Sequence, residues 1–152
     1  MIRSMNISWW VQRWSELHPD KAAIIFKGEI ITYSDLNRRA NRTGCWLQSL
    51  GIEKGDRVTA MLNNCPEFIE LFLACARLGA IFVPINFRSA AAELDYFLKN
   101  CCPRLLVFDL ELIDTVSKLD FKNSMPLILL SAVGKVSTRK GLCPSKTAHS
   151  EL

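Results

Sequence analysis

Histidine is nearly missing from this chain. Only His18 and His149 occur, and neither stands at ligand spacing from any of the six cysteines at 45, 65, 75, 101, 102 and 143. No C-x-x-C pair is present, so a zinc site is not expected. The cysteines fall mostly within apolar helical patterns, where a free thiol packs as a small hydrophobe, and reduced thiols are the expectation. Long apolar runs are missing too. Leu71–Ala76 and Leu78–Ile85 are separated by Arg77, and both are too short to cross a bilayer. Arg3, Asn6, Gln12, Arg13 and Glu16 interrupt the first 17 residues, so no secretory h-region forms, and no Gly follows Met1 for myristoylation. The cytoplasm is the expected compartment.

Charge of one sign is scarce where the chain looks folded. The net charge is +4, yet residues 1–130 hold 15 Lys/Arg against 14 Asp/Glu, and Lys135, Arg139, Lys140 and Lys146 supply most of the excess. A nucleic-acid footprint needs basic residues gathered on one structured face, so no nucleic-acid partner is expected. With 49% hydrophobic and 22% charged residues, the composition is that of a globular domain with a real core.

Periodicity supplies the elements. Ile7, Trp10, Val11, Trp14 and Leu17 recur at helical spacing from Asn6 to Leu17. Two apolar runs, 22–26 and 30–33, flank Lys27-Gly28-Glu29 as a hairpin. Ser34 is placed to cap a helix reaching Leu50, with Leu36, Ala40, Thr43, Leu47 and Leu50 as its inner stripe, and Gly51 ends it. A strand is expected at 57–62, and a helix starts at Asn64-Cys65-Pro66-Glu67, with Asn64 as its cap. That helix, to Leu78, is apolar nearly all round and should be mostly buried. Further strands are expected at 80–85, 105–108 and 127–130, with helices at 93–101 and 110–119. Alternating strands and helices mean an α/β fold, a largely parallel sheet with helices on both faces, preceded by a helix and a β-hairpin. Residues 131–152 lack aromatics and periodicity, and they read as a basic, disordered tail after a domain spanning 1–130.

Three segments carry a family resemblance. Ile31-Thr32-Tyr33-Ser34-Asp35-Leu36 with Arg39-Ala40-Asn41-Arg42 resembles a strand entering a T-Y-x-x-L helix. The run Gly51-Ile52-Glu53-Lys54-Gly55-Asp56-Arg57-Val58 resembles a G-V-x-K-G-D-R-V turn. The third segment runs from Asn64-Cys65-Pro66-Glu67 through Leu78-Gly79-Ala80 to Val83-Pro84-Ile85-Asn86, and is similar to a helix and strand ending G-A-x-x-V-P-I/L-N. Their order and spacing resemble the N-terminal part of the adenylate-forming (AMP-binding) enzymes, over about residues 6–110. Ile85-Asn86-Phe87-Arg88, then Glu93-Leu94 and Arg104-Leu105-Leu106-Val107, is most similar to medium- and long-chain fatty-acid–CoA ligases.

The resemblance implies an enzyme using ATP, Mg²⁺ and coenzyme A. A carboxylate and ATP give an acyl-adenylate and pyrophosphate, and a thiol then takes the acyl group. It also implies that the phosphate loop, the acidic ligands and the catalytic lysine lie beyond the matched region. No catalytic, cofactor-binding or metal-binding residue is therefore assigned, and this chain alone is expected to be catalytically incomplete. Later segments complete the sheet in the family, which leaves self-association through an uncovered surface as an expectation. The rival readings are a non-catalytic truncated product and a partner-binding α/β module.

Some residues admit two readings. Gly134–Gly141 has the composition of a phosphate loop but lacks close glycines and a Pro-Lys ending, so it reads as solvated tail. Trp9, Trp10 and Trp14 with Arg3 and Arg13 could make an interfacial helix. Packing of Trp10 and Trp14 on the domain is the simpler account. Arg38, Arg39 and Arg42 read as the wet face of a helix, with Asp35–Arg39 an i,i+4 pair, and Glu70 reads as solvated.

Overall fold

The computed structural model describes residues 6–119 together with the strand segments 127–130 and 136–137. Helix α1 spans Ile7–Leu17, and Asn6 caps it by accepting from the Ser8 N–H. Strands β1 (Ala22–Phe26) and β2 (Glu29–Thr32) pair antiparallel. Their turn needs positive φ at both central residues, Lys27 at 50° and Gly28 at 84°, which is the backbone twist that hairpins favour. Helix α2 follows at once, over Tyr33–Ser49.

Its cap is Thr32, not Ser34. The Thr32 hydroxyl accepts from the Asp35 N–H at 3.1 Å and donates to the Asp35 carboxylate at 2.9 Å. Thr32-x-x-Asp35 thus forms a capping box, and that hydrogen bond is the chief reason the Asp35 carboxyl lies below its ordinary pKa. The inner stripe of α2 is Leu36, Ala40, Gly44 and Leu47, whereas Thr43 and Leu50 are half-buried.

The main sheet holds β3 (Arg57–Met61), β4 (Ile81–Pro84), β5 (Leu105–Asp109), β6 (Leu127–Leu130) and β7 (Val136–Ser137), in the order β4-β3-β5-β6-β7. All neighbours run parallel except β6 and β7. Helix α3 (Pro66–Leu78) joins β3 to β4, and α4 (Ala91–Cys101) joins β4 to β5. The expected helix at 110–119 is instead a 3-10 turn at Leu110–Leu112 and a short α5 at Ile113–Ser117. The β7 pair falls inside the stretch read as a tail, 131–152. The rest of that stretch lies outside the described residues.

Strand alternation sorts the core onto two faces. Val58, Ala60, Leu105 and Val107 meet Leu47, Leu71, Ala74 and Cys75 of α2 and α3. Met61, Leu106 and Phe108 meet Leu94 and Leu98 of α4, with Val116 and Leu119. Helices therefore cover both faces, as the near-continuous apolar strands require. Helix α3 is apolar on two sides because it sits between layers. Leu71, Ala74 and Cys75 face the sheet, while Leu73 joins Ile31, Leu36 and Ala40 in a third cluster.

Polar groups tie these layers. The Asn6 amide donates to the Ala76 carbonyl at 2.9 Å, and Arg77 donates to the Asn37 carbonyl at 3.1 Å and its amide oxygen at 2.7 Å. Arg39 is not on the wet face. Its guanidinium reaches Glu70 of α3 at 3.4 Å, and Glu70 is only 12% exposed, so it is not solvated. Asp35 pairs with Arg38 instead of Arg39. Trp10 is 57% exposed, its ring meeting Trp9 edge-on and not the domain core, whereas Trp14 stacks on Tyr33 at 5.5 Å.

Three outcomes follow from this packing. Leu71→Ala should cost about 2–5 kcal/mol, and Ile69→Ala, on the exposed side of α3, within about 0.5 kcal/mol. Urea unfolding measures both, and equal costs would contradict the orientation of α3. Gly79 closes α3 at φ 73°, where an added Cβ would meet Lys54 Cγ at 3.0 Å. Gly79→Ala should therefore destabilise by about 1–2 kcal/mol, and no loss would contradict that backbone. Burial raises the Glu70 pKa above its ordinary value, with Arg39 opposing. A raised native pKa means extra stability at low pH that is lost as pH climbs through that value. In urea melts, Glu70→Gln should remove this part of the pH slope. Persistence of the full slope would contradict it.

Candidate functional site

The chain passes from β3 to β4 on one side and then returns to β5 on the other. That reversal puts a topological switch point at the carboxyl ends of β3 and β5, where open α/β sheets bind ligands. Asn63 and the start of α3 come from one strand, and Asp109 from the other. Asp109 accepts from the Asn63 N–H at 2.6 Å and bridges the two loops.

This junction is poorly suited to phosphate. A phosphate would want free N–H groups and positive charge. Here a carboxylate already holds the Asn63 donor, and no glycine stands between Leu62 and Pro66 to let an anion approach. Cys65, not Asn64, is the cap residue of α3, and its side chain makes no capping bond. Its thiol is pushed up to about 11, chiefly by burial and further by the Glu67 and Asp109 charges. It stays protonated at neutral pH and is a poor nucleophile. Burial likewise pushes Cys75 up to about 12. Among the described residues, no three His, Cys, Asp or Glu gather as a metal-holding group. The residues at this junction thus do not fit the phosphates of ATP.

A second feature is bounded by the end of β4, the loop that follows it and α4. A cleft of about 550 Å³ is lined by Val83, Pro84, Ile85 and Phe97 together with polar side chains that include Asn86 and Glu93. The β4–α4 loop is ordered by the Asn86 side chain, which accepts from the Arg88 N–H at 3.0 Å. Arg88 lies over the Phe87 ring at 5.3 Å. Its lining mixes apolar and polar side chains. Cys101 also lines it, 3.9 Å from the buried Thr59 hydroxyl of β3. Ile85 and Asn86 of the family-like motif thus border a cleft that periodicity does not reveal, since it does not tell how strands are ordered in a sheet.

The remaining candidates are dispersed. The His18 ring lies tilted against Trp14 at 4.9 Å, and Cys102 is exposed with its thiol donating to the Lys99 carbonyl. Neither joins the junction or the cleft. His149 and the loop-like Gly134–Gly141 stretch lie outside the described residues, except for β7. No helix among the described residues is long and apolar enough to cross a membrane.

This architecture and its motifs have known counterparts. The AMP-binding enzyme family matches residues 11–147, and the chain belongs to that family. It is 38% identical over 132 residues to the crotonobetaine/carnitine–CoA ligase of Salmonella paratyphi C (strain RKS4594), covering 82% of this chain and 26% of that protein. Its structure is similar to the fatty acyl CoA synthetase of Mycobacterium tuberculosis, with a TM-score of 0.75 and 30% identity, over 85% of this chain and 27% of that one. It is also similar to the N-terminal domain of FACL13 from the same organism, with a TM-score of 0.75 and 31% identity, over 85% and 34%. The chain thus spans about a quarter of the length of the curated relatives it matches.

Proposed function

We propose that this chain is the N-terminal, framework-bearing portion of an ATP-dependent acyl-CoA ligase whose acid substrate is a fatty acid. The observation that carries the reading is the parallel β4-β3-β5 arrangement, with two of the three motif segments at its joints and the first at the β2–α2 junction packed beside it. The family match and the likeness to a fatty acyl CoA synthetase support it. The reaction would run from carboxylate and ATP to acyl-adenylate and pyrophosphate, then to the thioester with coenzyme A. On this reading the chain by itself does not catalyse either step, because the resemblance places the phosphate loop, the acidic ligands and the catalytic lysine beyond the matched region. A second reading has specific support: the 38% identity to a crotonobetaine/carnitine–CoA ligase favours a quaternary-ammonium acid as substrate.

The purified chain, given ATP, Mg²⁺ and a panel of carboxylates, should show no ATP–pyrophosphate exchange. Carboxylate-dependent exchange would overturn the incomplete-enzyme reading. Residues 11–119 grafted in place of the matching segment of the Salmonella ligase should leave activity within about tenfold, or about 1.4 kcal/mol in the barrier. The recipient's acid preference should not change. A folded but inactive chimera would contradict the framework role. Expressed together with its downstream coding sequence, the chain should support thioester formation with medium- or long-chain fatty acids. A preference for crotonobetaine or carnitine would favour the second reading.

A further inference from the structure

We draw no further inference here: the strongest candidate, the exposed apolar stripe of Ile7, Trp10 and Leu17 along the outer side of α1, carries no proposal because nothing in the structure shows what covers it.

Discussion

The pairing of β3 with β5 is the constraint on which the rest of the fold depends. Val58 to Met61 lies parallel to Leu105 to Phe108, and seven of these eight side chains enter one of the two sheet-facing cores. The eighth, Thr59, is fully buried and meets the Cys101 sulfur. Parallel strands cannot be joined by a tight turn, so the register obliges α3 and α4 to cross over and cover the sheet. Layering then continues outward, because α3 is apolar on two sides and draws α2 and the hairpin against it.

The same constraint explains why the motif spacing is informative. Gly55 and Gly79 belong to different motif segments, yet the Gly55 N–H donates to the Gly79 carbonyl at 2.9 Å. Next to them, the Ile81 N–H donates to the Asp56 carbonyl at 2.7 Å, and Arg57 stands opposite Ile81 in the register. The two turns are one joint, made where β3 and β4 both begin. Residues at such a joint are held by backbone geometry and not by reaction chemistry. This is why they mark the family without defining a substrate.

Much of the architecture was legible in the sequence, because strand and helix periods differ and the glycines stand at the joints. Side-chain facing was less legible. The Ile7–Trp10–Leu17 spacing marks an apolar stripe correctly, yet α1 lies in the outer layer and turns Ser8 and Val11 inward. Arg39 looked solvated because its partner, Glu70, is 31 residues away on another helix. The Thr32 cap was within reach, since Thr32-x-x-Asp35 is a capping pattern, but Ser34 offered a competing hydroxyl two residues on. The cleft between the end of β4 and α4 was not legible, because periodicity does not tell how strands are ordered in a sheet.

Native-state hydrogen exchange tests the central claim, that β3–β5 pairing is the spine of this fold, most directly. The amides of Val58–Met61 and Leu105–Phe108 should exchange most slowly, at the free energy of global unfolding, with β1 and β2 opening earlier. Faster exchange in β3 and β5 than in the hairpin would show that the sheet is not what the other layers are built upon.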